Sequence, residues 1–188
     1  MSEAKVSQRD MAAGWYEAAE DPELVEHGPV SGLAVTGRGE PGGAAYNESV
    51  GALYAVLSAL GAPMVPREGR WWVEDERSPF DVPREEWWWH LFLRLPDGPM
   101  PVDRACEQAR PGVPAACRVQ HVTFAEGLCV QMLHRGPYSE EPASLARMVA
   151  FIEEKGLTRN GLHHEIYLSD PSEGDPRKMR TILRQPVR

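Results

Sequence analysis

Residues Trp87 to Leu95 read WWWHLFLRL and close on Pro96-Asp97-Gly98-Pro99. Aromatic and aliphatic bulk of this length, bounded by turn formers, specifies a strand. Side-chain alternation places Trp87, Trp89, Leu91 and Leu93 on one face, and Trp88, His90, Phe92 and Arg94 on the other. Both faces need covering, and Gly69 to Val73 (GRWWV) supplies a neighbouring strand with two more indoles. Six Trp, 17 Pro and 17 Gly in 188 residues argue for a loop-rich chain around an aromatic-lined cavity, and against a plain helical bundle.

The surrounding segments repeat one order of elements. Residues 30–36 read as a strand, followed by the turn-rich Gly37 to Gly43. A helix then carries Tyr46, Val50, Leu53, Leu57 and Leu60, and stops at Gly61 and Pro63. The strands at 69–73 and 87–95 complete this first set. Val102–Ala109 reads as a short helix, and 116–124 and 128–135 as two strands around a hairpin turn at Glu126-Gly127. Gly136-Pro137-Tyr138 breaks the second of these. A helix with Leu145, Met148, Val149 and Ile152 on one face follows, then strands at 163–169 and 181–187. The expected fold class is α+β: two strand-helix-strand-strand repeats, about 29–96 and 127–188, joined by 97–126. Related by a pseudo-twofold axis, they would form an antiparallel sheet with a central ligand groove. Residues 1–28 form a polar arm whose Trp15 and Tyr16 should pack on the body of one domain.

Composition excludes several functions. Lys and Arg number 20 against 28 Asp and Glu, a net charge of −8, which argues against a nucleic-acid or anionic-membrane surface. No apolar run is long enough to span a membrane, and MSEAKVSQRDM lacks the apolar core of an export signal. Three cysteines without CxxC fit reduced thiols in a cytoplasm. Gly37-Arg38-Gly39-Glu40-Pro41-Gly42 matches GxGxxG. The region about twenty residues on, Leu57 to Pro63, holds no acid, and the next strands look antiparallel, so the motif reads as turn chemistry. The six histidines show no HxH, HxxxH or HExxH, and GxSxG is absent. No metal, nucleotide or other cofactor is expected.

Glu165 is the most informative charge. In HHEIYL, Ile166 and Leu168 share a face with His164 and should pack on the second helix, so His163, Glu165 and Tyr167 face the groove. A partly desolvated carboxylate there needs a donor, for which Tyr167 or a His is suited. Five indoles (Trp71, Trp72, Trp87, Trp88, Trp89) are more than one helix face can cover. Some should therefore form flat walls for a flat aromatic ligand.

These residues also carry a resemblance. The run GLHHEIYLSDPSEGDPRKMRTILRQPV, with LCVQMLHRGPYSEEPASLARM before it, resembles the GyrI-like small-molecule-binding domain proteins. Upstream, DPELVE, VTGRGEPGG, NESVGALYAVLSAL, EGRWW and EEWWWHLFLRLPDGP are similar, in order, to the stand-alone subset of that family. The resemblance covers nearly the whole chain from about residue 15. Two departures stand out: Trp88 replaces a polar residue, and Ser172-Glu173 replaces a basic pair.

The resemblance implies two strand-helix-strand-strand repeats and a ligand, aromatic or cationic, held near a buried glutamate. Some stand-alone members open the strained cyclopropane of cyclopropanoid cyclohexadienone toxins. By position, Glu165 would be the catalytic or anchoring carboxylate, with Tyr167 beside it. Trp71, Trp72, Trp87, Trp89 and Tyr138 would supply the aromatic walls, and His163 and Met132 complete the expected ligand-binding set. The leading expectation is a cytoplasmic self-protection hydrolase acting on such a planar small molecule. A non-catalytic drug-binding or sequestering protein is the alternative, and a topoisomerase inhibitor a third. The oligomeric state is left open.

Overall fold

The computed structural model describes residues 14–77, 81–169 and 174–188. The first residues of the N-terminal arm, part of the acidic loop before Trp87, and Ser172-Glu173 lie outside this set. Among the described residues the fold is mixed α+β, with six strands and three helices. The strands are β1 (Glu23–Arg38), β2 (Arg67–Trp72), β3 (Trp88–Arg94), β4 (Gln120–Arg135), β5 (His163–Tyr167) and β6 (Arg180–Pro186). The helices are α1 (Ala44–Ala59), α2 (Val102–Ala109) and α3 (Glu141–Glu154). No described helix is long and apolar enough to cross a membrane.

The chain divides into two compact units. The first takes residues 28–125 and 162–164, and the second takes 14–27, 126–161 and 165–188.

In the first unit the strand order is β1–β3–β2, antiparallel, with Gly37 opposite Trp89 and Trp71 opposite Trp89. Helix α1 buries Tyr46, Ser49, Ala52, Leu53, Val56 and Leu57, a stripe at helical spacing. It packs on β3, on α2 and on the turn at Pro114–Arg118. Gly61 ends it with φ 64°, a left-handed stop that favours glycine.

In the second unit the order is β5–β6–β4, with Cys129 opposite Pro186 and Arg135 opposite Arg180. Helix α3 covers a core of Val130, Met132, Met148, Ile152, Leu183 and Val187. Residues Cys129 to Met132 are buried without alternation because α3 covers one face and the N-terminal segment serves the other. There Arg184, fully buried, donates to the Trp15 carbonyl and lies 4.4 Å over the Trp15 ring. Gln131 donates to Glu17 O and Glu23 Oε1, both at 2.9 Å.

One expected element is corrected. Glu126-Gly127 is not a hairpin turn: β4 runs straight through it as one strand of 16 residues. Gly127 absorbs the irregularity with φ 67°. Residues 116–118 belong instead to a 3₁₀ turn.

Candidate functional site

In the second unit, β5 projects Glu165 and Tyr167 to the same side, two residues apart. The Tyr167 hydroxyl donates to Glu165 Oε2 at 2.6 Å. This hydrogen bond orients the Glu165 carboxyl. Tyr138 lies edge-on to Tyr167, with centroids 5.8 Å apart and an interplanar angle of 81°, and is 47% exposed.

A third acid joins this group. Glu141 opens α3, is 8% exposed, and its Oε1 is buried with no hydrogen-bond partner. Burial, and then the charge of Glu165, push its carboxyl up to about 9. At neutral pH Glu141 is thus an uncharged acid beside Glu165. The turn that delivers it is pinned at both ends. Gly136 donates to the Met179 carbonyl at 3.0 Å. Buried His134 bridges Pro137 O (3.2 Å, from Nε2) and Ser144 Oγ (2.9 Å, at Nδ1). A carbonyl only accepts, so Nε2 carries a proton.

The first unit carries a different cluster, on the sheet face away from α1. Glu68 Oε2 lies 2.9 Å from His164 Nε2, with both side chains fully buried. Arg70 donates to His90 Nδ1 at 3.0 Å and stacks 3.7 Å over the Phe124 ring. Burial, with Arg70 and His164 adding to it, holds His90 down at about 4, so this ring is neutral at pH 7. At the strand end Trp72 and Trp88 form a cross-strand stack, 5.9 Å apart and 13° from parallel.

This arrangement corrects the expected aromatic walls. Trp71 and Trp89 are 7% and 0% exposed and pack on Tyr46 of α1, at 5.9 and 5.6 Å. They belong to the helix-covered core. Trp87 is half-buried against Trp71, and its Nε1 donates to the Val82 carbonyl. The reason is room: Gly37 lies opposite Trp89, and a Cβ there would fall 2.2 Å from the indole. Met132 is likewise core, 1% exposed under α3, because β4 is covered on both faces. Trp72, His163, Glu165 and Tyr167 remain half-buried, and Tyr138 is exposed. Among the described residues, no group of three or more His, Cys, Asp or Glu is placed to hold a metal ion.

Comparison with known proteins gives these residues a setting. A hydrolase from Listeria innocua is 34% identical, with a TM-score of 0.81, covering 98% of this chain and all of its own. An uncharacterised conserved protein from the same organism is 36% identical, with a TM-score of 0.85 and the same coverage. Residues 100–188 match the model of the GyrI-like small molecule binding domain. The chain belongs to the GyrI-like family. At 11% identity and a TM-score of 0.63, the C-terminal domain of EcmrR shares the GyrI-like fold. No curated protein matches the chain.

Sequence reasoning missed Glu141 in this GyrI-like protein. Ser139, Glu140 and Glu141 read alike as a polar helix start, and Glu140 is indeed exposed. Only the fold of the preceding turn separates the two glutamates.

Proposed function

We propose that this GyrI-like protein binds flat aromatic small molecules beside Glu165 and hydrolyses the cyclopropane ring of a conjugated cyclohexadienone, a detoxifying activity of the cytoplasm. The observation that carries the reading is the 2.6 Å bond from Tyr167 to Glu165, made by a ring that itself meets the exposed ring of Tyr138. The kinship with Listeria proteins described as hydrolases supports turnover rather than binding alone.

The chemistry balances with water as the only co-reactant. Glu165 removes a proton from water as its oxygen bonds to the less hindered cyclopropane carbon. The opposite C–C bond breaks, its electron pair aromatises the ring, and the dienone oxygen becomes a phenolate. A donor at that oxygen lowers the barrier, and ring strain with aromatisation supplies much of the driving force. Tyr138 offers a face for stacking, worth about 0.5–1.5 kcal/mol beyond area burial.

Incubation with a cyclopropanoid alkylator, followed by mass spectrometry for the ring-opened hydrate, tests this directly. Glu165→Gln should lower turnover by about 10²–10⁴-fold and leave affinity for a neutral aromatic ligand nearly unchanged. Wild-type turnover in that variant would place the base elsewhere.

The alternative is a non-catalytic binder, favoured by the match to a small-molecule-binding domain, with Glu165 pairing a cationic ligand. It expects no hydrate from the wild type, and Glu165→Gln then weakens cationic ligands only.

A further inference from the structure

The reaction above leaves one role unfilled: the acid that protonates the phenolate. Glu141 has the features of that acid. The residue is more than nine-tenths buried, and its buried Oε1 has no partner among the described residues. A buried acceptor without a donor is costly, which is a reason to look for a ligand that completes it. The titratable side chain that acts on it is Glu165 on β5, which Tyr167 contacts; Glu140, its chain neighbour, is exposed. Two close carboxyls in a poorly hydrated place do not both ionise, so one keeps a proton. Tyr167 already donates to Glu165, whereas Glu141 Oε1 has no donor among the described residues. The proton therefore stays on Glu141, as its raised affinity for protons also indicates.

We propose that Glu141 is the proton-donating partner of Glu165: its carboxylic acid hydrogen-bonds the oxygen of a neutral carbonyl ligand and protonates that oxygen as the ring opens. The inference rests on the hydrolytic reading for its second half only. Protons balance within the pair. Glu165 gains one from water, Glu141 gives one to the phenolate, and transfer from Glu165 back to Glu141 restores the resting site. The site so described takes a neutral planar ligand with one carbonyl oxygen in preference to a cation, because at pH 7 the pair carries a single charge and offers a donor.

The test combines three readouts on the full chain. Carboxyl ¹³C titration of labelled glutamate should show one signal titrating above pH 7 that disappears in Glu141→Gln. Flavone, a neutral flat ketone, should bind Glu141→Leu about tenfold more weakly than wild type. Binding to Glu141→Gln, which keeps an N–H donor, should stay within about threefold. With a cyclopropanoid substrate, Glu141→Gln should turn over at least tenfold more slowly at unchanged flavone affinity, because an amide donates a hydrogen bond without giving up a proton. If the wild type makes no hydrate while the titration and flavone results hold, the hydrolase reading fails and the donor assignment stands. Glutamates that all titrate below pH 6, or flavone affinity unaffected in Glu141→Leu, would overturn the proposal.

Discussion

Glu68 and Glu141 are both buried, one in each unit, and the protein holds them in opposite ways. Glu68 has a polar partner at hand, His164 Nε2 at 2.9 Å from Oε2, and neither side chain is exposed. Glu141 faces a second carboxylate and has a buried oxygen with no partner. The first arrangement meets the cost of taking a polar group out of water by giving it a partner; the second avoids the charge by keeping the proton. A pair of the first kind is part of the scaffold. An acid of the second kind is a candidate for chemistry, because perturbed carboxyls cluster at functional sites.

Removing the partner of Glu68 is the harshest way to break this contrast. His164→Leu leaves a carboxylate in a fully buried place, and the expected cost is about 3–5 kcal/mol in urea-induced unfolding at pH 7. A loss below about 1 kcal/mol would mean that His164 is not what compensates Glu68, and the two glutamates would then differ less than the geometry indicates.

The reciprocal substitution should stabilise. Glu141 binds its proton up to about pH 9 in the folded protein, against an ordinary value of 4.5. Its contribution to stability is complete below pH 4.5 and is lost as pH rises towards 9, because the unfolded chain ionises freely there. Glu141→Gln has no such loss. Its advantage over wild type should therefore grow with pH, by at most about 1.4 kcal/mol per pH unit. Melting temperatures of the two proteins at pH 5 and pH 8 check this. A difference independent of pH would show that Glu141 titrates as an exposed carboxyl does.

The same contrast shows what a sequence can disclose. Periodicities inside one element were legible: the stripe of α1, and the parity that sets Trp89, Leu91 and Leu93 together or Glu165 with Tyr167. Parity does not say which face a helix will cover. That was decided by Tyr46, which meets Trp71 and Trp89, and by the space Gly37 leaves for an indole. The GyrI-like resemblance was legible because it rests on long runs of residues in order. Glu141 was not, since its burial depends on a turn tied down by His134 and by the Met179 carbonyl, contacts distant from any local pattern. Gly127 misled for a related reason. A glycine with positive φ serves a hairpin and an irregular strand equally well, and no local pattern decides between them.

The smallest expected effect comes from acids held by neither device. Asp21 and Glu20 make ion pairs with Arg147 and Arg135 at hydrogen-bond distance, yet their side chains are 91% and 65% exposed. Water already solvates these carboxylates, so an arginine adds little and salt screens what it adds. Arg147→Ala should cost about 0–1 kcal/mol, shrinking further when ionic strength is raised tenfold. The comparison with His164→Leu then isolates burial as the variable, since both substitutions remove the partner of one carboxylate. Should Arg147→Ala cost as much as His164→Leu, contact geometry rather than desolvation would govern acids in this protein. The argument that an unpartnered, buried Glu141 must keep its proton would then lose its physical basis.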